Sequence, residues 1–536
     1  MTPASGDNPL QAVSEALRQR DPRRAAAMAQ VQLDAGVRHP LLYTARAIWL
    51  SEDGRNGEAL ADFRTAETMG PVNPALKAAL ALCLMRLDRP AEAVREYDAV
   101  LALTPNAAPI HFRKAWALEL AGDLEQARRS HEQAVALDPG LGEALARLAF
   151  LAARRADWAV ARAHAHKALK LGPYPAAHLA LAMAALDEDD YAAAEAALKI
   201  VMSDERAGAT DQRLAAGLMG DVCDRLDRRD DAYAYYSHAN SIAEKLIPKP
   251  SGTLPMLETV RQLRRHFEAM PPRPHRAAST VSGRHIFVLG FLRSGTTLIQ
   301  EILAARDDTV VLDEKDALVD AVGAFMSDIG GLDRLWGADE ATLERYRAAY
   351  WDRVKTFVDP AGKVLVDKMP FATIRIPLIQ RLFPDAAIVF AMRDPRDVVW
   401  SCFRQRFVLN ATTAELLTID GAAKLYAETM QLAELYRQKL SPHLFDLRLE
   451  DLIDDFDGRT KALCDFAGLD WQEGMRAFAG QSAGHAVTTP SAGQIVRGLN
   501  RQGVGRWRRY APHMQLAEDI LAPWVERFGY ARDEQS

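Results

Sequence analysis

The stretch HIFVLGFLRSGTTLIQEIL, residues 285–303, decides the fold of the C-terminal half. An apolar run of β character enters a glycine turn and leaves as an amphipathic helix, the arrangement of a phosphate-binding turn. Gly290 and Gly295 frame a GxxxxG loop. Its backbone N–H groups can point at an anion, and the helix that follows adds its N-terminal dipole and unsatisfied donors. A nucleoside triphosphatase would place Lys and then Ser or Thr after the second glycine, the Lys for the β and γ phosphates and the hydroxyl for Mg²⁺. Here that pair is Thr296-Thr297, and the cation sits inside the loop at Arg293. A planar guanidinium fork suits a phosphate-type ligand held without a metal. Taken alone, such a loop is also compatible with an ordinary strand-to-helix turn.

About a hundred residues on, AAIVFAMRDPRDVVWSCFR (386–404) again reads as a buried strand followed by a helix, with Pro395 near the first helical turn. Arg393 ends the strand and Ser401 lies eight positions later. The plain alternative is a strand-end Arg paired with Asp394 or Asp397.

With both signatures in order, the C-terminal half resembles the sulfotransferase superfamily, in its tyrosylprotein sulfotransferase-like branch. FLRSGTTL matches that family's PRSGT(T/S) loop, with Leu292 standing where Pro is usual. The resemblance implies that Arg293, Ser294, Gly295, Thr296 and Thr297 hold the 5'-phosphosulfate of 3'-phosphoadenylyl sulfate, and that Arg393 and Ser401 hold its 3'-phosphate. It also implies that Glu314, in TVVLDEKDALVD (309–320), is the general base. A carboxylate there can take the acceptor hydroxyl's proton as sulfur is attacked. Asp313 and Asp316 are the neighbouring alternatives, and a solvated acidic helix start is the bland one.

Lys368, in KVLVDKMPF (363–371), resembles the family's (D/N)KxPF element. There the ammonium contacts the bridging oxygen on which charge develops, and so favours the transition state over the ground state. HLFDLRLEDLIDDF (443–456) resembles a strand ending in YEDL, with Leu449 in place of the Tyr. The basic tail TTPSAGQIVRGLNRQGVGRWRRYAPHM (488–514) resembles the segment that closes over the 3'-phosphate. Arg497 is the first candidate there and Arg506 the second, although basic tails are commonly solvated faces.

The N-terminal half carries a repeat. Pro71, Pro105, Pro139 and Pro173 recur every 34 residues, as do Ala59, Ala93, Ala127 and Ala161, and Ala47, Ala81, Ala115 and Ala149. Each unit reads as two amphipathic helices, and the period and small-residue positions are similar to tetratricopeptide repeats. A single pair cannot bury its apolar face, so the units are expected to stack into a right-handed solenoid with a concave groove. About six or seven units fit, caps included. The Asp187–Asp190 run reads as a solvated turn.

The expected architecture is an all-α repeat solenoid over 7–246, a linker over 247–283 rich in Pro, Gly and Ser around one helix-like run (256–270), and an α/β domain with a central parallel sheet over 284–532. At 536 residues and 49% hydrophobic the chain has ample material for such cores. A net charge of −6 leaves no polyanion footprint, so nucleic acid is not expected as a partner. Cys83, Cys223, Cys402 and Cys464 are far apart and form no CxxC or His/Cys cluster, the pattern of thiols in a reducing compartment. No apolar run reaches membrane-spanning length, and the polar N-terminus lacks a signal-like segment. These features lead to the expectation of a cytoplasmic chain, bacterial by its Ala/Arg/Asp-rich composition.

The function expected is metal-free sulfuryl transfer from 3'-phosphoadenylyl sulfate to a hydroxyl. A protein or peptide acceptor, with Tyr one option, would be recruited by the solenoid groove. Two alternatives stand beside it: a kinase or triphosphatase on a related loop, opposed by the missing Lys, and a non-catalytic repeat adaptor that keeps only nucleotide binding.

Overall fold

The computed structural model describes residues 9–70, 73–247, 254–273, 285–328, 330–478, 499 and 501–530. The chain divides into two compact units, Met1–Ala207 and Gly208–Ser536.

The first unit is a run of helical pairs, among the described residues Pro9–Arg18 with Pro22–Asp34, then Pro40–Glu52 with Asn56–Glu67, and so on to Pro175–Asp187 with Tyr191–Ser203. The repeated alanines explain the packing. Ala47, Ala59, Ala81, Ala93, Ala115, Ala127, Ala149 and Ala161 are all fully buried, because helices that cross this closely leave room for a methyl and no more. A second register marks the turns inside the pairs. Arg20, Gly54, Asp88, Gly122 and Ala156, each 34 residues after the last, all have φ between +56° and +86°. Four of the six pairs then open the second helix with an Asp side chain that caps it: Asp21, Asp123, Asp157 and Asp190. The Asp187–Asp190 run is one of these turns, with Asp189 at φ +58°.

A further pair, Ala209–Arg225 with Arg229–Leu246, belongs to the second unit, so the compact division falls one pair ahead of the compositional joint at 247. Hydrogen bonds explain the attachment: Asn240 Nδ2 donates to the carbonyls of Phe403 (2.9 Å) and Leu417 (3.0 Å). The helix Met256–Ala269 follows, and its Arg261 and Arg264 share Glu428 of the long helix Ile419–Leu440.

The core of the second unit is a five-stranded sheet of β1 (His285–Gly290), β2 (Thr309–Asp313), β3 (Val364–Lys368), β4 (Ala387–Met392) and β5 (Leu444–Arg448). All pairings are parallel, in the order β2-β3-β1-β4-β5. The inner strands β1, β3 and β4 are buried almost throughout, as strands covered on both faces must be, whereas β2 and β5 at the edges are half-exposed. The chain leaves β1 toward one edge and β4 toward the other, which opens a crevice at their carboxyl ends.

On one face of the sheet, Tyr350 links two buried titratable groups: its hydroxyl donates to Asp367 Oδ2 (2.8 Å) and meets His285 Nε2 (2.9 Å). Burial lowers the His285 imidazolium to about 3, so that ring is neutral. Burial also pushes the Asp367 carboxyl up to about 7, against the opposing hydrogen bond from Tyr350. The folded value lies above the unfolded one, so the folded chain binds the extra proton between about pH 4 and 7. Stability therefore falls as pH rises through that window. Denaturant titrations at pH 5, 6, 7 and 8 are expected to show this decline in the wild type and a flatter profile in Asp367→Asn; parallel profiles would contradict it.

Candidate functional site

The turn after β1 is built around its first glycine. Gly290 has φ +153°, and a Cβ on it would lie 2.7 Å from the Ala391 carbonyl oxygen of the neighbouring strand. Its own carbonyl accepts from Thr373 Oγ1 (2.6 Å). Ser294 turns back onto the Phe291 carbonyl with both its Oγ (2.6 Å) and its amide (3.3 Å), and the donors that remain at this turn are the amides of residues 295–297, which open the helix Thr296–Ala304 and have no intrahelical acceptor. Arg293 takes a left-handed φ of +68°, a costly conformation for a side chain of this size, and one that sets its guanidinium across the crevice. Leu449, at the position of the expected Tyr, packs over the second glycine; a Cβ at Gly295 would meet its Cδ1 at 3.2 Å.

Strand register brings the proposed base and the proposed cation together. Asp313 at the end of β2 pairs with Lys368 at the end of β3, and the Glu314 amide donates to the Lys368 carbonyl (2.9 Å). Lys368 is fully buried, and its Nζ lies 2.6 Å from both Glu314 Oε1 and Asp313 Oδ1. Asp316 is engaged elsewhere, in a two-pronged ion pair with Arg375. Of the three carboxylates, Glu314 is the most exposed, at 46% of its side chain. It is the one with the lone pairs and the solvent access to meet an incoming hydroxyl.

The second cluster lies across the crevice. Arg293 Nε donates to Ser401 Oγ (3.0 Å), and Arg393 Nη1 donates to the Arg293 carbonyl (3.1 Å). Arg393 also donates to the Gly503 carbonyl, which ties the C-terminal segment to this point. Neither expected carboxylate takes it in a hydrogen bond. Asp394 holds Arg396, and Asp397 accepts from the amides of Gly505 (2.6 Å) and Trp507 (2.9 Å).

These residues line a cavity of about 310 Å³ in which five arginines converge: Arg293, Arg393, Arg404, Arg406 and Arg506. Asp221 and Asp397 are the acids in its wall. Loss of water, and then the charge of Arg393, lowers Arg293 to about 10, while Glu314 acts in the opposite direction. Nε of Arg393 and Nε of Arg506 are buried and have no hydrogen-bond partner among the described residues. Buried guanidinium donors left unsatisfied within a cluster of like charges are the mark of a site completed by an anion.

The structure thus brings together Glu314 and Lys368 as one group, and Arg293, Arg393, Ser401 and Arg506 as another, with Ser294, Gly295, Thr296 and Thr297 in the loop beside them. Arg497 lies outside the described residues. Sequence reading missed Arg404, Arg406 and Asp221. The first two sit three and five positions after Ser401, a spacing that could have flagged them. Among the described residues, no group of three or more His, Cys, Asp or Glu could hold a metal ion, and no helix is long and apolar enough to cross a membrane. All four cysteines are buried and no disulfide joins them.

Residues 285–473 match the model of the sulfotransferase family, and residues 50–115 match a tetratricopeptide repeat model. An uncharacterized protein of Aquifex aeolicus is 26% identical over 249 residues, which cover 45% of this chain and 32% of that one. The chain therefore spans about a third of that relative's length. Protein-tyrosine sulfotransferase 1 of Danio rerio is 23% identical over 263 residues, covering 46% of this chain and 72% of that one. The solved sulfotransferase domain of the Synechococcus PCC 7002 olefin synthase is 21% identical, covers 48% of this chain and 100% of that one, and has a TM-score of 0.31, too low to carry weight. Residues 285–473 form a domain of the sulfotransferase family, and the helical pairs before it include tetratricopeptide repeats.

Proposed function

We propose that this chain transfers a sulfuryl group from 3'-phosphoadenylyl sulfate to a hydroxyl of a protein or peptide. The observation that carries the reading is the pairing of two groups at one crevice: Glu314 on buried Lys368 at 2.6 Å, and a five-arginine cavity with two unsatisfied Nε donors. The loop of residues 294–297 binds the 5' end of the donor, chiefly through the amides of 295–297, and Arg393, Ser401 and Arg506 take the 3'-phosphate. Glu314 accepts the acceptor's proton while the acceptor oxygen bonds to sulfur. The bond from sulfur to the bridging oxygen breaks, and its electron pair goes to the 5'-phosphate, where Lys368 and Arg293 stabilise the new charge. The products are a sulfate ester and 3'-phosphoadenosine 5'-phosphate. Side-chain cations carry this scheme, and no step in it requires a metal.

A peptide acceptor is supported by the first unit. A cavity of about 900 Å³ there is lined by Leu17, His39, Ile48, Glu52 and Lys77 among others. On the helix Ala108–Ala121, Trp116 and Leu120 stand exposed one turn apart, as anchors for an extended segment would. Incubation with sulfur-labelled donor and a mixture of tyrosine peptides, serine peptides, small phenols and glycans tests the reading. Label on peptide hydroxyls is expected. Label on small molecules alone would remove the peptide acceptor, and turnover of Mg-ATP without sulfuryl transfer would replace the reaction.

A further inference from the structure

The helix Ala209–Arg225 lies upstream of every element matched to the sulfotransferase family, yet it forms part of the arginine cavity. One of its faces is shaped for this. Gly217, Gly220, Asp221 and Asp224 follow the i, i+3, i+4, i+7 spacing of a single helix face. A Cβ on Gly217 would lie 2.5 Å from Arg406 Cδ, and one on Gly220 would lie 2.5 Å from Tyr236 Cε1. The two glycines therefore open the room through which Arg406 and Tyr236 reach the next residue, Asp221.

Asp221 then binds both chains. Its Oδ1 accepts from Tyr236 (2.8 Å) and from Arg404 Nη2 (3.1 Å), and its Oδ2 accepts from Arg406 Nη1 (3.0 Å). Asp224, one turn on and buried, accepts from Arg509 (3.0 Å), Tyr510 (2.6 Å) and Arg506. Five guanidiniums in a cavity of about 310 Å³ repel one another and would swing into solvent unless held. The acidic face of this helix holds three of them from behind, which leaves their other N–H groups for the cavity.

We infer that Asp221 is a positioning residue for the donor's 3'-phosphate: it aims Arg404 and Arg406 into the cavity and makes the helical pair 209–246 part of the nucleotide site. The inference rests on the donor assignment proposed above. Removing a carboxylate also raises the local positive potential, which by itself tightens the bisphosphate, with its extra charge in this cavity, more than the monophosphate, and so raises the discrimination between them. Loss of aim acts in the opposite direction. The quantity to read is therefore the ratio of dissociation constants for adenosine 5'-monophosphate and 3'-phosphoadenosine 5'-phosphate.

Calorimetric titration of both nucleotides into the full chain, at one ionic strength, is made for wild type, Asp221→Asn and Gly217→Ala. The glycine variant displaces Arg406 without altering the charge of Asp221, and it keeps the test open if the Asp221 variant fails to fold. In each folded variant the ratio is expected to fall about tenfold, the worth of one misaimed charge-assisted hydrogen bond. An unchanged ratio, with both ligands weakened together or neither weakened, would reduce the helix face to a structural prop and overturn the inference. A wild type with no preference for the bisphosphate would instead overturn the donor assignment on which the inference rests.

Discussion

Replacing Glu314 by Gln is expected to lower kcat by about two to four orders of magnitude while leaving donor KM within a few-fold of wild type. The replacement keeps the size and hydrogen-bonding reach of the side chain but cannot accept a proton. In the proposed reaction the acceptor oxygen must shed that proton as it bonds to sulfur, and of the three carboxylates at and just after the end of β2 the other two are less well placed to take it. Asp316 is committed to Arg375 in two hydrogen bonds, and Asp313 shares Lys368 from the less exposed side of the pair. In the proposed reading the donor's contacts lie in the loop and in the arginine cavity, so its binding is expected to be spared. Steady-state kinetics over a range of donor concentrations separates the two constants; a variant that keeps more than a tenth of the wild-type kcat would remove Glu314 from the role of base.

Lys368→Met is the second large effect, expected at about two to three orders of magnitude in kcat, because in the proposed reaction the ammonium faces an oxygen whose charge grows only as the bond to sulfur breaks. Met keeps the volume of the buried stem. The substitution also leaves Asp313 and Glu314 side by side without their shared cation, so some loss of stability accompanies it. Two measurements keep the effects apart: the thermal midpoint, and the donor KM. The donor, whose bridging oxygen does not yet carry the charge, is expected to keep a KM within a few-fold of wild type in the folded variant, while binding of 3'-phosphoadenosine 5'-phosphate, which carries it in full, weakens. A rise in donor KM that accounts for the whole loss, with kcat unchanged, would mean that Lys368 holds the ground state and does not act on the leaving oxygen.

What could be read in the sequence follows from how local each signal is. The loop at 290–295 and the strand ends at Arg393 and Lys368 are local, each a change from period-two apolar runs to helix with a polar residue at the joint, and the structure places them at the carboxyl ends of β1, β4 and β3. The repeat was legible because close helix crossing permits only small residues at Ala47 and its equivalents. The left-handed turns at Arg20, Gly54, Asp88, Gly122 and Ala156 share that period but not a residue type, so composition hides them. The contact of Glu314 with Lys368 spans 54 positions and depends on the register of β2 against β3, which no local pattern encodes. Asp221 lay furthest from view. It sits in a helical pair that reads as one more repeat, and an acidic residue on such a helix normally faces water; only the arginines 183 and 185 positions downstream give it a different role.

The most direct test is calorimetric titration of the full chain with 3'-phosphoadenosine 5'-phosphate, beside Mg-ATP, for wild type and Arg393→Ala. Arg393 bridges the loop carbonyl of Arg293 and the carbonyl of Gly503, with its buried Nε still unsatisfied. Tight binding of the bisphosphate by wild type, weakened by at least about a hundredfold in the variant and not matched by Mg-ATP, is the predicted result. Absence of bisphosphate binding, or a preference for Mg-ATP that survives Arg393→Ala, would contradict it.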